Sequence, residues 1–410
     1  MLRRLRSLDN RMTERILIVG AGFAGMWSAL GAARLLDVAG RSDGSIEVAV
    51  IAPEPALHLR PRFYETAPRG MKAPLSELFK AIDIRFIEGR VDHIHTLDRT
   101  VAASARDGGR FTVRYDRLVV AAGSELHRPN VRGLAEHAHS VDTIDEASRL
   151  DAHLSVLASA ARNTIVVVGG GFTGIEIASE LPSRLRALLG AAVASNVIVI
   201  EQANDIGPDL GPGPRPVISA ALESLGITVR LRTAVAAIDA DGIWTSTDER
   251  IEAKTVIWTA GLRANALTRE VDAPRDDLGR LHVARDLRVL GIDGMFATGD
   301  AAFALLDDDG HHALMSCQHA MTMGKFAGYN VAADLIGIAT IPYNQPRYVT
   351  CLDLGEWGAV YSEGWDREVT FVREKAKALK RMINTQWIYP PRADRASALA
   401  AADPNRAVAG

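Results

Sequence analysis

The chain has little cysteine. Its two cysteines in 410 residues, Cys317 and Cys351, stand far apart and in no C-x-x-C or metal-ligand spacing. That argues against a dithiol redox enzyme, a disulfide framework and a metal centre, and it fits a reducing compartment. Long apolar runs are also missing: none reaches the ~18 residues that a membrane span needs. The charge excess is small, −3 with both signs mixed along the chain, so nucleic acid is not an expected partner. The opening segment carries Arg3, Arg4, Arg6 and Arg11 without an apolar core and is no secretory signal. Met12, directly before the first apolar run, is as good a start as Met1, and residues 1–13 are expected to be disordered. These absences leave a cytoplasmic protein of two or three domains of ~100–200 residues each.

Glycine is plentiful, and its placement is informative. The run Ile16-Leu17-Ile18-Val19 stops at Gly20, Gly22 and Gly25, spaced G-x-G-x-x-G, before an Ala- and Leu-rich stretch. A β-branched run, a glycine turn and a helix start predict a parallel strand whose turn cradles a pyrophosphate at the helix N-terminus. Thr164 to Val168 followed by Gly169, Gly171 and Gly174 repeats the pattern. Two such sites in one chain predict two bound nucleotides.

The second strands of the two repeats differ. Ile46 to Ile51 runs into Ala52 where an acidic ribose partner is usual, leaving Glu54 in the next loop as a substitute. Asn196 to Ile200 ends in Glu201, with no arginine in the residues that follow. The second site is therefore expected to take NADH rather than NADPH. Leu59-Arg60-Pro61-Arg62-Phe63-Tyr64-Glu65 follows the first repeat's second strand and reads as either a pocket lining or a solvated loop. Later strands of both repeats end in small residues, Ala121-Ala122-Gly123 and Thr259-Ala260-Gly261, which allow close backbone approach. A helix is expected over 146–160, and the Pro/Gly-rich 206–216 reads as a surface excursion. Gly299-Asp300 ends a further short strand, and Cys317 to Gly324 opens a helix. Runs 348–354, 359–361 and 368–372 predict a small antiparallel sheet, followed by a helix stopped at Pro390-Pro391 and a poorly ordered tail over 391–410.

Together these residues resemble the type II NADH dehydrogenase (NADH:quinone oxidoreductase) family, within the FAD-dependent pyridine nucleotide-disulfide oxidoreductases, over about residues 14 to 390. The resemblance implies an α/β fold of two Rossmann-like, glutathione-reductase-like domains plus a small C-terminal α+β segment. The FAD-binding domain would comprise 14–125 and 290–340, the NADH-binding domain 160–265, and the C-terminal sheet and helix 345–390. For FAD it implicates Gly20, Gly22, Gly25, Glu54, Arg60, Pro61, Val91, Ala122, Gly123, Gly299, Asp300, Cys317 and Gln318. For NADH it implicates Gly169, Gly171, Phe172, Thr173, Gly174, Glu176, Glu201, Ala260 and Gly261. Glu176 and Gln318 are the implied catalytic pair: Glu176 positioning the nicotinamide or relaying a proton, Gln318 at the flavin ring edge. The expected chemistry is hydride transfer from NADH to the flavin, then electron delivery to a quinone. Where the family's quinone-site helix shows further glutamines, this chain has Thr322 and Met323.

Three other readings stay open: a soluble reductase for a ferredoxin, rubredoxin or small molecule; a sulfide:quinone oxidoreductase, which needs Cys317 and Cys351 to meet at the flavin; and a slowly turning NADH-sensing flavoprotein. A homodimer is also left open. Leu379, Ile383 and Trp387 recur on one helical face beside Lys375, Lys377, Lys380 and Arg381. Residues 374–389 therefore suit either peripheral contact with the inner face of the cytoplasmic membrane or packing on the protein's own sheet.

Overall fold

The computed structural model describes residues 13–157, 163–190 and 195–406. The disorder expected for the N-terminal tail thus falls almost wholly outside the described residues.

Strand β1 (Glu14–Val19) leads through the first glycine turn into α1 (Phe23–Val38), followed by β2 (Ile46–Ala52), β3 (Arg85–Glu88) and β4 (Arg117–Val120). The plan repeats with β5 (Ala138–His139), α2 (Ile144–Ser155), β6 (Asn163–Val168), α3 (Phe172–Leu189), β7 (Ser195–Ile200), β8 (Thr228–Arg230) and β9 (Thr255–Trp258). The chain continues through β10 (Met295–Ala297), α4 (Cys317–Ile336), β11 (Val349–Asp353), β12 (Ala359–Glu363), β13 (Glu368–Val372), α5 (Arg373–Met382) and α6 (Arg395–Ala401).

Two parallel five-stranded sheets result, in the orders β10-β4-β1-β2-β3 and β5-β9-β6-β7-β8. Their central strands are apolar without alternation, and Ile16 to Val19 and Ile165 to Val168 are buried, because helices or loops cover both faces of a parallel sheet. Strand β10 pairs with β4, so residues beyond the second sheet complete the first. The same return brings α4 across α1 at close range. A side chain at Gly328 would meet the Ser28 carbonyl oxygen at 2.1 Å, and one at Gly324 the Ala24 carbonyl oxygen at 2.6 Å, so glycine is what lets the helices touch. This crossing fixes the N-terminus of α4, capped by Ser316 Oγ on the His319 amide, over the first sheet's glycine turn.

Strands β11, β12 and β13 form the antiparallel meander, and α5 lies on it with Cys351, Ala359, Tyr361 and Ala376 in a shared core. Helix α5 continues into a π-helical turn, Ile383–Trp387.

Three local expectations need correction. Helix α2 begins at a Thr143–Glu146 capping box and ends at Ser155, short of residue 160; residues 158–162 lie outside the described residues. The loop over 206–216 is not a free excursion: Ile206 and Leu210 are buried, and Gly213 abuts the Arg367 backbone. The tail is built in through residue 406. Ala398, Leu399 and Ala402 are buried, Arg395 pairs with Asp37 and Asp83, and Asp403 pairs with Arg34, so an alanine-rich face finds a partner surface in the first sheet's helices.

Candidate active site

Both glycine turns open onto one cavity of about 1890 Å³. That is roughly twice the upper end of ordinary ligand pockets, ~300–1,000 Å³, and suits more than one ligand. The turns are built alike. Gly20 and Gly169 have φ of 109° and 108°, and a side chain at Gly25 or Gly174 would meet the carbonyl oxygen of Gly20 or Gly169 at 1.9 or 1.8 Å. Glycine is thus required at the turn and where the helix closes on it. Gly22 and Gly171, by contrast, have nothing within 4 Å of a side-chain position and line the cavity. They are the N-caps of α1 and α3 and make no side-chain cap, so the first-turn amides are free to take an anion. Two open cradles of this kind fit the two pyrophosphates of FAD and NADH.

At the first cradle, Asp300, Arg60, Pro61, Ala122 and Gly123 line the cavity with Glu54. Asp300 Oδ2 accepts a hydrogen bond from Ser124 Oγ at 2.6 Å. Burial pushes its carboxyl above the usual range, while Ser124, Arg60 and Arg280 oppose that rise. Arg60 is held by Asp142 and by Ser124 Oγ at 2.8 Å. Glu54 is already engaged with His58 at 2.6 Å and Lys72 at 2.9 Å. Besides the turn glycines Gly20 and Gly25, two expected FAD contacts do not line the cavity: Val91 sits on the separate sheet of strands Arg90–His95, Thr100–Ser104 and Arg110–Arg114 and packs against the core, and Gly299 is buried against Ala24, where a side chain would come within 2.7 Å.

At the second cradle, Gly171, Phe172, Thr173, Glu176 and Gly261 line the cavity and Ala260 does not. The expected ribose partner Glu201 is buried at the end of β7, and its carboxylate accepts from the Gly170 and Ala203 amides, each at 2.7 Å. It closes the glycine turn from behind rather than lining the cavity.

Between the cradles, Cys317 and Gln318 line the cavity at the start of α4. Opposite them is a group that sequence reasoning missed. Lys380 Nζ lies 2.8 Å from Glu176 Oε1, with side-chain exposures of 5% and 4%. Glu176 also accepts from the Asp353 amide at 3.0 Å, and Tyr64 OH donates to Asp353 Oδ2 at 3.0 Å. Burial pushes the Glu176 carboxyl up to about 7 against the pull of Lys380, whereas the carboxylates around Lys380 raise its pKa despite burial. Lys380 falls four residues after Ala376 and four before Asn384, which are also buried, but this spacing in a lysine-rich helix does not mark it in the sequence. Leu379, Ile383 and Trp387 line the cavity and Lys377 is held by Asp353, so the apolar stripe of this helix borders the cavity.

Cys351 lines the same cavity, but its thiol is pushed up to about 12 by burial and that of Cys317 to about 11, so neither is a ready thiolate, and both are free. Val349, Cys351, Tyr361, Phe371, Leu379 and Ile383, which pack together between the meander and α5, give the cavity an apolar wall there.

Two matched dinucleotide folds facing one redox-sized cavity define a pyridine-nucleotide oxidoreductase. The family model for pyridine nucleotide-disulphide oxidoreductases matches residues 14–324, and the chain belongs to that family. It is 44% identical over 397 residues to an NADH dehydrogenase-like protein of Mycobacterium tuberculosis, covering 95% of this chain and 98% of that one. It is 28% identical to demethylphylloquinone reductase of Synechocystis, covering 85% and 86%. Among solved structures, NDH2 of Plasmodium falciparum in complex with NADH shares the fold, with a TM-score of 0.77 at 14% identity over 92% of this chain and 95% of that one.

Proposed function

We propose that this oxidoreductase passes reducing equivalents from NADH, through bound FAD, to a quinone. The observation that carries the reading is the single cavity: both glycine cradles and an apolar, partly aromatic wall from the meander and α5 line it. The relative named for demethylphylloquinone reduction supports the same acceptor class. FAD when bound supplies the chemistry of accepting a hydride and releasing its electrons. The chain's own residues do the rest. Gly22 and Gly171 hold the pyrophosphates, and Asp300 with Ser124 and Arg60 faces the first nucleotide. Glu201 keeps the second turn in shape for the adenosine ribose. Glu176, poised near neutrality, holds a proton beside Phe172 and Thr173. Gln318 presents its amide at the α4 N-terminus, where donors favour developing negative charge.

A second reading, a reductase for a soluble small acceptor, gains from the inward-turned face of α5, which leaves the mostly polar Glu374, Lys375, Ala378, Arg381, Met382, Thr385 and Gln386 as the exposed part of a segment that could have met lipid. Steady-state NADH oxidation by the flavin-loaded protein separates the two. The quinone reading expects faster turnover with a menaquinone or ubiquinone analogue than with oxygen. Rapid dye reduction with no quinone reduction favours the second.

A further inference from the structure

Reduction of a quinone by NADH balances as NADH + H⁺ + quinone → NAD⁺ + quinol, so on the function proposed above each turnover takes one proton from water. Glu176 and Lys380 line the redox cavity and are almost wholly buried. One turn further along the same face of α3 stands Glu180, and three residues before Lys380 on α5 stands Lys377. Lys377 Nζ is 3.6 Å from Glu180 Oε1, bonds to the Asp353 carboxylate, and donates to the Gly355 carbonyl at 3.1 Å. Asp353 in turn gives its amide to Glu176 at 3.0 Å. Glu180, Lys377, Asp353, Lys380 and Glu176 thus gather acids and bases at the seam between α3, β11 and α5, where Asp353 meets Glu176 through its amide and acts on Lys380 through its charge.

This cluster has two different ends. Glu176 and Lys380 face the cavity, whereas Glu180 and Lys377 line a separate surface pocket of about 220 Å³ with Glu356, Glu374 and Arg381. Three carboxylates share two ammonium groups, so full ionisation leaves one uncompensated buried negative charge, which a single proton cancels. We propose that Glu180, Lys377 and Asp353 form a proton inlet from this surface pocket to Glu176, and so to the acceptor in the cavity. Other polar or titratable groups facing the cluster are Tyr64 on Asp353 Oδ2, Asn384 and Glu65 behind Tyr64, the neutral thiols Cys317 and Cys351, the buried Arg184, which is paired with Asp151 and felt by Glu180, and Glu356, Glu374 and Arg381 at the surface pocket. Burial raises the Glu180 carboxyl as it does that of Glu176. Glu176 therefore holds its proton below about pH 7 and loses it as pH rises through that value.

The test uses the flavin-loaded full chain with Glu180→Gln, and with Lys377→Met as a second variant. Turnover is measured with a quinone analogue and with ferricyanide, a one-electron acceptor that takes no proton. The inlet predicts a roughly tenfold or greater fall in kcat for the quinone. It also predicts a larger solvent isotope effect and a steeper decline above pH 7, with the ferricyanide rate and the KM for NADH kept. Glu180→Asp should restore quinone turnover in part. An equal loss with both acceptors, or an unchanged quinone rate, overturns the inlet. Wild-type protein that reduces ferricyanide but no quinone overturns the quinone reading, and the inlet with it, before any variant is made.

Discussion

Glu201 follows β7 at the position where folds of this kind usually carry the acidic ribose partner. Its carboxylate accepts from the Gly170 and Ala203 amides. Charge-assisted hydrogen bonds are each worth roughly 1.5–3 kcal/mol, or about ten- to a hundredfold in affinity. Glu201→Ala should raise the apparent KM for NADH by that order and narrow the preference over NADPH, both read from initial rates. An unchanged ratio would assign ribose recognition elsewhere. The glycines of both turns were legible in the sequence because they answer backbone constraints that act within a few residues, whereas Asp300 rested on resemblance. Lys380 was not, because its partner Glu176 lies on another helix more than 200 residues earlier, and a lysine reads as solvated until that acid is known. Val91 and Gly299 were expected at the flavin from resemblance, and here they pack against the core and against Ala24.

At the scale of elements, periodicity found α5 but left open which way it faced. The structure turns its apolar stripe onto the meander and the cavity. The tail escaped notice because alanine and aspartate look like disorder until a partner surface is supplied. Helix α6 and the residues after it form a strap, with Pro404, Asn405 and Arg406 edging the cavity. Lys325, almost fully buried in α4 over the Trp27 ring, donates to the Arg406 carbonyl at 3.0 Å. Burial depresses its pKa to about 8. Ending the chain at Ala402 removes that acceptor and leaves a buried ammonium short of a partner, at a cost of about 1–3 kcal/mol. The expected outcome is a lower melting temperature together with a higher kcat/KM for bulky acceptors. A changed melting temperature with unchanged acceptor selectivity would make the strap purely structural.

At the scale of the whole molecule, the two parallel sheets were legible because each repeats strand, glycine turn and helix within a short span. The closure of the first by β10 rested on resemblance rather than on any local signal. A fragment ending at residue 290 lacks β10, Gly299, Asp300 and α4. It should purify without flavin and expose the apolar edge of β4, seen as a low flavin absorbance and increased binding of a hydrophobic dye.

Strand β4 ends at Val120 and its outer neighbour begins only at Met295. A ribosome adding ~5–20 residues per second needs roughly ten to thirty-five seconds to bridge that gap. During this time Leu118, Val119 and Val120, all fully buried in the finished protein, form an open edge able to pair with another nascent chain. Yield in the cell should therefore depend on translation rate and on holding chaperones during that interval, even where the completed enzyme is stable.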